Sequence, residues 1–238
     1  MAILVIGANG GIGRAVVDQA LLMDETVYAV SRTAITRQHP KLHSFCGGDD
    51  EQSINAVIAE LSPHRGSFTR VVITLGVLHQ QSDPSVYPEK RLEDINTEQW
   101  QHSFFVNTLL PSLWVAKLLP LVKAAVPCVI AVLSARVGSI ADNRLGGWYS
   151  YRSSKAALNM ALKTAAIEYQ RRAPNVKLVA FHPGTTDTPL SEPFQANVAA
   201  QKLFTPAFVA QQLFGIIETL QPDGELSYLD WQGDVVAW

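Results

Sequence analysis

The sequence predicts an α/β fold, a parallel sheet of about seven strands with crossover helices packed on its faces. Three observations carry this. Short β-branched runs alternate with longer stretches of helical period. The first such run passes straight through a glycine-rich turn into a helical stretch. A composition of 47% hydrophobic and 17% charged residues suits a sheet covered on both faces. At 238 residues the chain fits one well-filled domain, 1–238.

The strand-like runs are 3–6, 27–30, 71–74, 129–133, 176–181 and, more weakly, 226–229, with a further short one at 42–45. The opening run is apolar but has no basic leader and meets the glycine turn too soon for a signal peptide, so it reads as a strand. Helices fit at 11–23, 51–61, 98–124, 149–172 and 206–219. The last of these opens on Thr205-Pro206, a capping residue followed by proline in the first turn. Two stretches, 77–96 and 184–203, scatter Pro, Ser, Asp and Asn among apolar residues and read as irregular. Loops after strand C-termini form the ligand crevice of such sheets, so both stretches are expected to wall a substrate.

A formal charge of −2 with no long Lys/Arg run speaks against nucleic acid as a partner. Nor does any segment offer the roughly 18 consecutive apolar residues of a membrane span. Cys46 and Cys128 match neither a metal-binding pattern nor a redox pair, which fits reduced thiols in a cytoplasmic protein.

The turn after the first strand reads Gly7-Ala8-Asn9-Gly10-Gly11-Ile12-Gly13. Glycines permit positive φ and let backbone N–H groups approach a pyrophosphate, while the helix beyond offers its partial positive charge. A dinucleotide is the expected guest; the plainer alternative is a glycine turn kept for close helix–strand packing. At the end of the second strand an acid would bind a ribose 2′-hydroxyl and an arginine would accept a 2′-phosphate. Ser31-Arg32 stands there, so NADP(H) is expected over NAD(H), with Arg14 and Arg37 as possible help.

Tyr151 and Lys155 stand four residues apart on one face of the fourth long helix. A free phenol ionises near ~10, and a neighbouring ammonium is expected to draw it down into the range of proton exchange. Tyr149 is the rival phenol, but its fourth neighbour is Ser153.

The glycine loop at Gly7, Gly11 and Gly13, the Tyr151/Lys155 pair and Pro183-Gly184 after the sixth strand together resemble the short-chain dehydrogenase/reductase family, over essentially the whole chain. The resemblance implies a doubly wound Rossmann-type sheet and hydride transfer between a nicotinamide nucleotide and a carbonyl or alcohol, with Tyr151 exchanging the proton. It implies further that Lys155 holds the nicotinamide ribose and that Asn107 bends its helix and supports a proton relay. In the segment Pro183-Gly184-Thr185-Thr186-Asp187-Thr188, backbone and Thr188 would meet the carboxamide. A homodimer or homotetramer packed through helices 98–124 and 149–172 is implied as well.

The chain also departs from that pattern. Ala135 stands where most members carry the serine that binds the substrate oxygen, leaving Ser134, preferred, or Ser139 to polarise the carbonyl. The usual Asn-Ala-Gly is Thr74-Leu75-Gly76, which keeps only the glycine for main-chain contact with cofactor. Asp49 or Asp50 replaces the aspartate at adenine. The run 134–158, the segment 76–79 and the terminal 231–238 resemble C-factor-like and sniffer-like carbonyl reductases, with Trp148, Phe194, Phe204 and Trp238 as candidate substrate walls. The competing reading is a nucleotide-binding signalling or redox-sensor protein that has lost turnover, suggested by Ala135 and Thr74. The retained Tyr151, Lys155 and Asn107 favour the enzyme.

Overall fold

The structure is a computed structural model that describes residues 1–80 and 86–238. Strand β1 (Ala2–Ile6) is buried along its whole length. The two-residue period of a strand divides its side chains: Leu4 and Ile6 join one hydrophobic cluster, Ile3 and Val5 the other. Both faces are therefore apolar, as the uninterrupted run of large aliphatic residues requires.

The remaining strands are β2 (Thr26–Ser31), β3 (Leu42–Cys46), β4 (Phe68–Ile73), β5 (Cys128–Leu133), β6 (Val176–His182), the short β7 (Thr185–Thr186) and β8 (Leu203–Phe204), and β9 (Leu226–Asp230). Seven of them form one sheet in the order β3-β2-β1-β4-β5-β6-β9, with every neighbouring pair parallel. The direction of winding reverses between β1 and β4, which opens a crevice at the carboxyl ends of these strands.

Helices α1 (Gly11–Leu22) and α6 (Pro206–Thr219) cover one face, burying Val16, Val17, Val209, Leu213 and Phe214 against Ile3 and Val5. On the other face lie α2 (Glu51–Leu61), α4 (Leu110–Val122) and α5 (Tyr149–Arg172), which bury Ile54, Trp114, Leu118, Leu158 and Leu162 against Leu4 and Ile6.

The single helix expected over 98–124 is divided. Helix α3 (Thr97–Phe104) runs into a π-helical turn, Phe105–Leu109, before α4 begins. Pro111 has no N–H to give to the carbonyl of residue 107, so the normal ladder lapses there and the wider turn costs little. Thr97–Val122 has the length and mean hydropathy, 1.5, of a membrane span, yet its Leu110, Trp114, Leu118 and Leu121 pack into the core.

The irregular stretch 184–203 contains the unexpected pairing of β7 with β8 and two short 3-10 turns. Of the other stretch, 77–96, residues 81–85 lie outside the described residues.

Candidate active site

At the crevice the glycine turn is built for a close approach. Gly7 sits at φ +87°, and its N–H and that of Ala8 donate to the Val30 carbonyl at 2.9 and 3.0 Å. A Cβ on Gly13 would stand 2.2 Å from the Gly7 oxygen, so this glycine serves packing, while one on Gly10 would meet only that oxygen at 3.3 Å. Gly10 caps α1 without any side-chain hydrogen bond. The first-turn N–H groups of α1, that of Ile12 among them, have no partner within the helix, and with the positive end of α1 they fit a pyrophosphate. Thr74 Oγ1 donates to the carbonyls of Ile6 and Gly7 at 3.0 and 3.1 Å and fastens the end of β4 to the turn.

On the adenosine side, Asn9 Nδ2 donates to Thr33 Oγ1 at 2.9 Å and closes the loop after β2. Ser31 is buried and Arg32 exposed. A pocket of about 240 Å³ next to them is lined by Ala8, Asn9, Arg14, Asp18, Ile35 and Arg37, and Arg37 is ion-paired with Asp18. The pocket therefore brings Arg14 and Arg37 together beside the turn, while Arg32 follows β2 outside its lining. Asp50 accepts from Ser53 N at 2.7 Å as the cap of α2, Asp49 Oδ1 accepts from Ser53 Oγ at 3.4 Å, and both acids are exposed.

Tyr151 and Lys155, on the first turns of α5, are only 8% and 2% exposed. Lys155 Nζ donates to the Leu133 carbonyl at 3.0 Å. A Cβ on Gly76 would lie 3.5 Å from that Nζ and 3.6 Å from Asn107 Oδ1, so glycine, lysine and asparagine converge at one spot. Asn107 is fully buried in the π turn. Its Nδ2 donates to the Val77 carbonyl at 2.9 Å and to Ser154 Oγ at 3.1 Å, and its Oδ1 accepts from Val77 N at 2.7 Å.

The electrostatics correct one expectation. Burial, reinforced by Tyr228, raises the Tyr151 phenol well above its ordinary value, and burial draws Lys155 down to about 7. Desolvation is the main cause, and the phenol stays protonated at neutral pH.

Ser134, expected to polarise a substrate carbonyl, instead donates its buried hydroxyl to Asn159 Oδ1 at 2.6 Å. Both residues follow the end of β5 and face α5, Ser134 against Asn159 and the Ala135 methyl clustered with Leu78 and Tyr151. Ser139 Oγ accepts from Asp142 N at 3.1 Å.

Beyond Pro183, Gly184 adopts φ +73°, and a Cβ there would strike Phe204 at 2.6 Å. Thr185 pairs in β7, and Thr188 leans over the opening turn, its Cγ2 2.6 Å from where a Cβ on Gly11 would be. The 183–188 segment thus closes on the glycine loop from across the crevice.

An aromatic wall completes the site. The Trp148 ring centroid lies 6.2 Å from that of Tyr151 and 5.1 Å from that of Phe194, and Phe194 is 5.4 Å from Tyr87 and 5.7 Å from His79. Of the four candidate walls, Trp148 and Phe194 belong to this cluster with Tyr151. Phe204 packs instead on Trp231, and Trp238 on Tyr228. His79 and Tyr87 escaped the sequence reading because their stretch has no periodicity to say which side chains turn inward.

Residues 1–199 match the family model for short chain dehydrogenases. The chain is 29% identical over 147 residues to the C-signal of Myxococcus xanthus, covering 62% of this chain and 83% of that protein. It is 25% identical to a benzil reductase ((S)-benzoin forming) of Bacillus subtilis (strain 168), over 94% of this chain and 96% of the other. Among solved structures it is similar to the NADPH-bound carbonyl reductase from chicken fatty liver, with a TM-score of 0.83 and 24% identity over 100% of this chain and 94% of that one.

Proposed function

The chain belongs to the short-chain dehydrogenase family, and from that premise we propose that it reduces a carbonyl to an alcohol with NADPH, Tyr151 giving the proton. The observation that carries this is the convergence of Lys155, Asn107 and Gly76, with Tyr151 one turn before Lys155 on α5, alongside a glycine turn that fits a pyrophosphate. The nucleotide, when bound, supplies the hydride.

The chain's own residues do the rest. Gly7, Gly10, Gly11, Ile12 and Gly13 hold the phosphates by main chain. Arg32, with Ser31 beside it and Arg14 and Arg37 near, favours a 2′-phosphate, and Asp49 stands at adenine. Pro183, Gly184, Thr185 and Thr188 meet the carboxamide end, and Lys155 the ribose.

Tyr151 is protonated at neutral pH, the state in which it can hydrogen-bond a carbonyl oxygen and pass its proton as carbon accepts hydride. Lys155, near 7, can lose and regain a proton at Nζ and so reload the phenol. Asn107 fixes the Val77 backbone over this spot. Because Ser134 donates to Asn159, we assign the carbonyl contact to Tyr151 alone.

The wall of Trp148, Phe194, Tyr87 and His79 supports an aryl ketone, aldehyde or diketone as substrate, and the likeness to a benzil reductase points the same way. We place the protein in the cytoplasm as a dimer or tetramer joined through α4 and α5, whose outer faces form a shallow groove lined by Val115, Leu119, Ala161 and Ala165. The second reading, a nucleotide-binding signalling protein, is favoured by the Ala135 methyl against Tyr151 and by the likeness to C-signal.

The test follows NADPH absorbance over aryl aldehydes, ketones, diketones and quinones for the parent and Tyr151→Phe. Turnover by the parent, reduced ~10²–10⁴-fold in the variant, is expected. Equal rates would overturn the mechanism, and nucleotide binding without turnover would favour the signalling reading.

A further inference from the structure

We infer that Glu89 is a positioning residue for the reaction at Tyr151, holding the first turn of α5 and the left-handed residue ahead of it so that phenol and indole stand where substrate must lie. The inference rests on the oxidoreductase reading above. Glu89 comes from the stretch beyond β4, yet its side chain is 2% exposed and ends at the start of the catalytic helix.

Glu89 Oε2 accepts from Ser150 N at 3.1 Å and from Ser150 Oγ at 2.9 Å, and Oε1 accepts from the same N–H at 3.3 Å. Its main-chain carbonyl accepts from Trp148 N. Trp148 is the cap of α5 but offers no capping side chain, so a carboxylate from elsewhere in the chain does that work at the positive end of the helix.

The backbone it holds is unusual. Gly146, Gly147 and Trp148 take φ of +64°, +67° and +53° in succession, and the last is a conformation that an L side chain resists. Such a residue persists only where its surroundings over-determine it. Glu89 supplies one restraint, and Arg152 another, its Nε donating to the Gly147 carbonyl at 2.9 Å and its Nη2 to that of Gly146 at 3.1 Å.

The result of this strain is the placement of the Trp148 ring against both Tyr151 and Phe194. Tyr87, two residues before Glu89, reaches the same Phe194 ring. One buried carboxylate therefore joins the substrate wall to the helix that carries the phenol.

The test compares full-length parent, Glu89→Ala, Glu89→Gln and Ser150→Ala for kcat and KM with an aryl carbonyl, and for NADPH affinity by fluorescence titration. Glu89→Ala should lower kcat about tenfold and raise the carbonyl KM, with NADPH affinity within about twofold of the parent. Glu89→Gln keeps an acceptor for the Ser150 N–H and should restore kcat to within about threefold of the parent. Should Glu89→Ala not fold, Ser150→Ala carries the test, with a roughly threefold loss of kcat expected. A folded Glu89→Ala, or in its place a Ser150→Ala, with parent kcat and KM overturns the inference while leaving the oxidoreductase reading standing. A parent that binds NADPH but reduces no carbonyl overturns both.

Discussion

Lys155 Nζ donates to the main-chain carbonyl of Leu133 at 3.0 Å, tying α5 to the last residue of β5. Burial draws this amine down to about 7, against ~10.4 for a free lysine. Between those values the unfolded chain holds a proton that the folded chain has released. Stability from this site therefore rises with pH across the window and is lost as pH falls toward 7. Lys155→Met has no such proton to lose. Its Tm should exceed the parent's most at about pH 6, and the difference should shrink toward about pH 10. Thermal melts of both proteins across that range check this, and a constant difference would show that the buried amine does not titrate as stated. The range stops near pH 10 because the raised Tyr151 phenol acts in the opposite sense above it: its stabilisation is present below ~10 and is lost at higher pH.

The Ala135 methyl clusters with Tyr151 and Leu78, while Ser134 and Ser139 are each engaged elsewhere. If Tyr151 alone contacts the carbonyl, Ser134→Ala and Ser139→Ala should each keep turnover within about fivefold of the parent, whereas losing a true oxyanion donor costs ~10²–10³. Ala135→Ser places a hydroxyl beside the phenol and should raise kcat. Steady-state rates on the three variants decide, and a hundredfold loss in either alanine variant returns the role to that serine.

Asn107 serves both the N–H and the carbonyl of Val77 with one amide, at 2.7 and 2.9 Å, from inside the π turn. Asn107→Ala leaves both groups without that partner, at about 1–3 kcal/mol for each that stays dry. A loss of roughly 2–4 kcal/mol is expected in urea unfolding at unchanged m-value. A loss under ~0.5 kcal/mol would mean that water replaces the amide without cost. Turnover should fall further than stability explains, because Val77 lies next to the Gly76 that faces Lys155.

Much of this arrangement could be read from the chain before its fold. Period and composition marked the strands, since a sheet buried on both faces leaves long aliphatic runs such as Val129–Leu133. Tyr151 and Lys155 were legible because four residues is one helical turn. The spatial order of the strands was not, because periodicity carries no information on which strand neighbours which. A bend at Asn107 was implied by the resemblance, whereas its π geometry was not legible. The partners of Glu89 and Ser134 were hidden for a different reason: each contact joins segments remote in sequence, Glu89 to Ser150 and Ser134 to Asn159, and a side chain's direction at an irregular segment depends on packing. The pKa expectation failed likewise, since charge spacing is visible in sequence and desolvation is not.

Arg32 decides the nucleotide if the 2′-phosphate reading is right. It is exposed at the end of β2, where an acid would repel a phosphate and prefer a ribose hydroxyl. Arg37 is already ion-paired with Asp18, so its charge is partly answered, whereas no ion pair is recorded for Arg32 among the described residues. Arg32→Ala should therefore weaken NADPH binding about tenfold, equivalent to ~1.4 kcal/mol, and leave NADH within about twofold. The weakening should also diminish at high salt, since an exposed charge contact is screened there. Fluorescence titrations with both nucleotides at low and high salt measure this. Equal losses for NADPH and NADH would mean that Arg32 shapes the loop rather than reading the phosphate, and the preference would then rest with Arg14 and Arg37 around the adjoining pocket.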